Sequence, residues 1–200
     1  MDTIGNLFKS AAHETRLGNI EKAIKDYEKI LLLSRSDIRV RHLAHWGMGE
    51  IYLNDKQYRK AKYHLSQALR INPDESYSHY FFGCTYTYTN EIDRAIHHLE
   101  KAVRIDDSKD IYWNQLGWVI GYNRDIDKGI GYLKKSLSIN PKNTRSLLDI
   151  CMLYAKRLKF NEAMICIEEA EKNDPDNEEI SDIKRDLGFL KMNLISDRNN

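Results

Sequence analysis

Apolar and small residues recur along this chain at helical spacing, in blocks that return every 34 residues. One block reads Gly83, Tyr86, Ala95, Leu99, Ala102. One step back it reads Gly49, Tyr52, Ala61, Leu65, Ala68, and one step forward Gly117, Ile120, Gly129, Leu133, Ser136. A further step gives Cys151, Tyr154, Ala163, Ile167, Ala170. A polar turn divides each block: Asn54-Asp55-Lys56, Thr89-Asn90-Glu91, Asn123-Arg124-Asp125. Each block is therefore predicted to be two helices joined by a turn. Small side chains at 49, 83 and 117, facing 61, 95 and 129, let the two axes approach to about 8–10 Å. The second helices are expected to stop at Asn72-Pro73-Asp74, Asp106-Asp107-Ser108 and Asn140-Pro141-Lys142, since proline past a helix end cannot continue it and Asn or Asp starts the next.

Five such pairs are predicted, over residues 4–37, 42–75, 76–109, 110–143 and 144–177. In the first, Ala11 and Ala23 keep the internal spacing, but Ala23 lies 38 residues before Ala61. The four extra residues fall around Ser34-Arg35-Ser36-Asp37 and amount to about one helical turn. They predict a longer helix or a longer linker, with Asp37 or Ser36 as N-cap. In the fourth pair Gly121, Gly129 and Gly131 cluster; at about 1 kcal/mol each against alanine in a helix, they predict the softest part of the stack. After Asn177, the residues Ile180, Ile183, Leu187, Leu190 and Leu194 form one helical stripe. It predicts a capping helix over 178–195 that buries the first four on the second helix of the fifth pair, with a frayed tail at 197–200.

A small residue, an aromatic three positions on, and a later Ala-Leu-Ala set, with Pro73, Pro141 and Pro175 on the same clock, resembles the tetratricopeptide repeat. The resemblance implies an all-α, right-handed α-solenoid of helix-turn-helix repeats forming a single domain, whose first helices line a concave face and bind other proteins. It does not extend to the family's carboxylate clamp for chaperone C-termini. The matching positions are Phe8, Ala12, Gly47, Tyr77 and Phe81 in one register, and Trp46, Glu50, Phe81, Ile111 and Gln115 in the next. Neither carries the charges that clamp needs.

One step around each first helix from the glycine slot lies the groove register that the resemblance implies. The candidate partner-binding residues there are Phe8, Trp46, Glu50, Tyr77, Tyr80, Cys84, Tyr88, Asn114, Trp118, Tyr122, Leu148 and Met152. Tyrosine and tryptophan combine large contact area with a polar handle, which suits an interface. The opposing expectation is that part of this stripe packs one first helix on the next. Five first helices about 10 Å apart span roughly 40 Å, room for roughly 12 residues of extended peptide.

Composition changes this picture little. The chain is 42% hydrophobic and 30% charged with a net charge of +1, so no global field favours nucleic acid or an anionic membrane. No segment is apolar enough to span a bilayer, and residues 1–10 do not read as a secretory signal. Three cysteines without metal-like spacing suit a reducing cytoplasm. His45 and His79 fill one slot of successive pairs, held next by Trp113, and are read as packing first helix on second rather than as metal ligands. Cys84 is read as a buried thiol, and Glu168, Glu169 and Glu171 as a solvated face. No acid/base pair, nucleophile, phosphate loop or zinc pattern converges. The expected function is thus a non-catalytic interaction module or adaptor, without metal or cofactor, binding a peptide or helix of a partner protein. Two alternatives are a self-assembling scaffold, with Ile4, Leu7 and Phe8 as anchors, and a single-stranded nucleic-acid binder. The second needs more basic residues beside the aromatics than Arg16, Arg145 and Lys156 supply.

Overall fold

The computed structural model describes residues 3–198, with side chains described through Met192; Leu194 and the end of the 197–200 tail lie outside what is described. Helix accounts for 82% of the chain, and the described residues contain no strand. The helices are α1 (Thr3–Arg16), α2 (Ile20–Leu33), α3 (Ile38–Asn54), α4 (Tyr58–Ile71), α5 (Ser76–Tyr88), α6 (Ile92–Ile105), α7 (Asp110–Asn123), α8 (Ile126–Ile139), α9 (Thr144–Lys156), α10 (Phe160–Asn173) and α11 (Glu178–Arg198). They fall into two compact units, Met1–Asp106 holding α1–α6 and Asp107–Asn200 holding α7–α11.

In the first unit, the glycine slot is filled by a leucine of the paired helix. A Cβ on Gly49 would stand 2.7 Å from Leu65 Cγ, and one on Gly83 would stand 2.5 Å from Leu99 Cγ. Leu65, Leu99 and the flanking Ala61, Ala68, Ala95 and Ala102 are fully buried. A second contact repeats at the same interval. His45 Nδ1 meets His64 Nδ1 at 3.1 Å across α3 and α4, and His79 Nδ1 meets His98 Nδ1 at 2.9 Å across α5 and α6. The four residues inserted before the second pair lengthen α3 to 17 residues, and Asp37 caps it by accepting from the Arg39 and Val40 amides. Ile4, Leu7 and Phe8 of α1 pack against this unit's own core.

In the second unit, Leu133 and Ile167 are the buried counterparts of Leu65 and Leu99. Trp113 occupies the histidine slot on α7, its ring 5.6 Å from Tyr132 of α8, and its indole N–H donates to the Asp107 carbonyl. Two of the glycines expected to soften the fourth pair turn out to be contact points. A Cβ on Gly129 would stand 2.5 Å from the Gly121 backbone nitrogen, so the α7 and α8 backbones touch there. Only Gly131, with nothing within 4 Å of its would-be Cβ, carries the helix-propensity cost without a packing gain.

Four of the five turns inside the pairs share one backbone device, and the turn between α7 and α8 does without it. Gly18, Lys56, Asn90 and Leu158 all have φ between 58° and 76°. This left-handed conformation costs a side-chain-bearing residue roughly 1–2 kcal/mol. Glycine meets it in the first turn, whereas an exposed leucine meets it in the last.

The final helix corrects one expectation. Ile180 and Leu187 are buried against α10 and α9 residues, with Ile183 partly so. Leu190 is not; it is 49% exposed. Lys191 Nζ bonds Asn161 Oδ1 at 2.8 Å, which sets this part of α11 level with the first turn of α10. The second helix therefore runs out before Leu190 can pack on it.

Two outcomes follow for stability. Leu187→Ala should cost about 2–4 kcal/mol, and Leu190→Ala should stay within about 0.5 kcal/mol, in urea unfolding followed by circular dichroism. Leu158→Gly should raise stability by up to about 1 kcal/mol, the relief of left-handed strain less the extra entropy glycine gives the unfolded chain.

Candidate functional site: two ring-lined helix faces

In the first unit, residues one step beyond the glycine slots collect on α1, α3 and α5. Trp46 of α3 lies edge-on to Tyr77 and tilted against Phe81 of α5, both with ring centroids 6.1 Å away. Tyr80 packs edge-on to Phe81 at 5.2 Å. Phe8 of α1 meets Tyr27 of α2 edge-on at 5.9 Å. Phe8, Trp46, Glu50, Tyr77 and Tyr80 are all half-buried. Tyr88 is 66% exposed and stacks on Tyr58 of α4 at 5.7 Å. The Trp46 indole N–H is buried and has no hydrogen-bond acceptor. Burial alone lifts the Glu50 carboxyl above its ordinary pKa.

In the second unit, Trp118 and Tyr122 of α7 lie 5.0 Å apart, Trp118 half-buried and Tyr122 exposed. Lys156 of α9 sits 4.1 Å over the Tyr122 ring and donates to its carbonyl at 2.6 Å. Trp118 also packs against the cluster of Ile130, Leu133, Ile150 and Leu153, so it serves the stack as well as the surface. Met152 is exposed. Asn114 turns inward, donating to Asp149 Oδ2 at 2.8 Å and to Ser146 Oγ at 3.1 Å.

Two of the twelve expected residues offer no surface. Cys84 and Leu148 are buried, each within its own unit's core. Both sit on the helical stripe, but their part of it packs on neighbouring helices instead of facing water. Burial pushes the Cys84 thiol up to about 12, so no reactive thiolate forms there. Tyr58, Phe81 and Tyr27 complete the ring clusters from outside the predicted stripe. Their partners lie across helix pairs, a relation that spacing within one helix does not display.

The polar groups beneath these faces titrate in opposite senses. His64 and His98, stacked on Tyr52 and on Phe82, are lowered to about 4, chiefly by burial and then by His45 and Lys60, and by His79, His97 and Lys101. His79 Nε2 lies 2.9 Å from the Pro73 carbonyl and must donate to it, which leaves its Nδ1 as the acceptor for His98. Asp149 is raised to about 6, chiefly by burial, despite Arg145 Nε at 3.1 Å and the Asn114 amide. Among the described residues no group of three or more His, Cys, Asp or Glu could hold a metal ion. No described helix is long and apolar enough to cross a membrane.

Paired helices closed by small residues, presenting rings on their first helices, define a helical-repeat solenoid of the kind that forms protein–protein interaction modules. Residues 42–75 match one tetratricopeptide repeat model, and residues 13–37 and 76–109 match a second. These stretches are tetratricopeptide repeats, and the eleven helices fit a tetratricopeptide repeat protein. Its fold is similar to that of YrrB, described as a TPR protein with an unusual peptide-binding site: 20% identity, 90% of each chain covered, TM-score 0.67. It is also similar to TTC0263, a thermophilic TPR protein of Thermus thermophilus, with 15% identity over 93% of this chain and 99% of that one and a TM-score of 0.76. A third likeness is to a chain of the APC/C hetero-tetramer Cut9-Hcn1, with 16% identity over 88% of this chain and 35% of that one and a TM-score of 0.77. No curated protein matches in sequence. The family is typically a non-catalytic scaffold.

The titrating groups give a pH signature specific to each unit. A histidine held low when folded binds fewer protons than when unfolded, so α3–α6 should lose stability as pH falls from 6.5 toward 4. A carboxyl held high does the reverse, so α7–α9 should gain about 2–3 kcal/mol as pH falls from above 6 toward 4. Amide hydrogen exchange, corrected for its intrinsic pH dependence, should show protection moving in opposite directions in the two units, and Asp149→Asn should flatten the second.

Proposed function

We propose that this chain is a non-catalytic adaptor of the cytoplasm that binds a peptide or helical segment of a partner protein on the ring-lined faces of its first helices. The observation that carries this reading is the exposure of large aromatic side chains on those faces. Tyr88 and Tyr122 hold 66% and 50% of their surface in water, although neither closes a helix pair. Such surface, flanked by half-buried Trp46, Tyr80 and Trp118, gives a partner area to cover at low entropic cost. Burial of about 300 Å² of apolar ligand surface is worth about 7–8 kcal/mol gross, and association costs reduce this to roughly micromolar affinity. YrrB, a structural relative, is described as having a peptide-binding site, which supports the class of ligand. The N-terminal anchors considered for self-assembly pack on their own core, so the observations favour a separate partner.

The test starts from a random 12-residue peptide library displayed on phage and selected on the full chain. Tyr88→Ala and Tyr122→Ala, each scored on the peptides selected, should weaken binding by about 1–3 kcal/mol at the face that the peptide uses. Melting of both variants should shift little, since surface truncations stay within about 0.5 kcal/mol. Affinity unchanged in both variants would place binding elsewhere on the molecule.

A further inference from the structure

The first unit's face contains a charge that its own chain leaves unanswered. Glu50 stands on α3 one turn after Trp46, on the same side of the helix. It is half-buried, and no ion pair or hydrogen bond engages it among the described residues. Its carboxyl is perturbed by burial alone, with no cation contributing. The neighbouring surroundings are rings. A Cβ on Gly47, one turn before Glu50, would stand 2.5 Å from the Tyr27 hydroxyl, and that hydroxyl feels the Glu50 charge. Trp46 carries the ring set onward to Tyr77 and Phe81. The one basic residue in this unit's groove register, Arg16, turns to the Ala12 carbonyl at the end of α1.

Several other carboxylates of the chain are paired. Glu14 is met by Lys22, Glu91 by Lys62 and Arg94, and Asp127 by Arg157. A half-buried carboxylate without such a partner costs stability, and an uncharged side chain of the same shape would cost less. The arrangement is complementary to a cation. A carboxylate supplies the counter-charge, and indole and phenol faces attract the same group through their quadrupoles. The same features repel an acidic segment, the opposite preference to a carboxylate clamp.

We propose that the first unit's face takes a lysine or arginine side chain of the partner segment, with Glu50 as its counter-ion and the half-exposed Trp46 as its wall. This rests on the peptide-binding reading above and names the ligand chemistry of one face.

The probes are the 12-residue peptides selected on the full chain, together with synthetic copies in which the enriched basic residue is replaced by norleucine. Binding is measured by calorimetry on the wild type, Glu50→Gln and Tyr80→Ala. The expected result is enrichment of one Lys or Arg position and about tenfold weaker binding of that peptide to Glu50→Gln. The norleucine copy should bind wild type and Glu50→Gln equally, which isolates the pairing. Glu50→Gln should melt no lower than wild type, so lost affinity is not lost folding. Peptides that depend on Tyr80 but show no basic enrichment, or bind Glu50→Gln as tightly as wild type, would overturn this assignment and leave the groove standing. A library from which no peptide is selected would remove both.

Discussion

The structure depends on a contact in which a leucine occupies the space a Cβ would fill. Leu65 against Gly49 and Leu99 against Gly83 bring α3 onto α4 and α5 onto α6 at distances no side chain at the glycine would allow. Gly117 does the same for α7, where backbone as well as Leu133 presses in. The last pair shows how far the rule bends: Cys151 takes the small slot and Ile167 the large one, and both remain fully buried. Close approach of two helices removes their apolar stripes from water together, and most helical stability in proteins comes from such packing rather than from propensity. Everything presented outward is held in place by these contacts.

That contact is also why the fold was so legible. It demands particular residue sizes at fixed intervals, and a 34-residue period displays them without any alignment. Helix pairs, turns and the extra turn of α3 could be read directly, because each rests on short-range chemistry: a small residue, a cap such as Asp37, a proline beyond an end. The histidine slot at 45 and 79 was legible for the same reason, and the structure gives it a partner at 64 and 98 on the same period. Where reading failed, the deciding contact crossed between elements. Leu190 continued an apolar stripe, but whether it is buried depends on where α10 begins. Cys84 and Leu148 lay in the groove register, but the rotation of each helix against its neighbours put them inside.

The buried polar groups mark places where the stack departs from pure size-matching. Each imidazole pair needs one ring nitrogen donating and the other accepting, so geometry excludes charging both rings at once, and burial disfavours charging either. The Asn114–Ser146–Asp149 group does for α7 and α9 what rings do in the first unit, joining two first helices across a repeat boundary. It places a carboxylate where desolvation outweighs an adjacent guanidinium. One unit is thus tied by groups that must stay neutral, and the other carries a group that gains by becoming neutral.

The repeats within the chain can be compared with one another, and the comparison separates what the scaffold requires from what it does not. At the packing slots, positions 49, 83, 117 and 151 read Gly, Gly, Gly, Cys, and positions 65, 99, 133 and 167 read Leu, Leu, Leu, Ile. These vary by no more than a small side chain, as close packing requires. One residue further round, positions 50, 84, 118 and 152 read Glu, Cys, Trp, Met, and positions 54, 88, 122 and 156 read Asn, Tyr, Tyr, Lys. Charge, polarity and volume all change there while the helices that carry them stay the same. A stack of helices sets no such sequence for its own sake. The unpaired glutamate on one face and the lysine laid over tyrosine on another are not set by the packing slots, which is the freedom that the proposed binding faces would use.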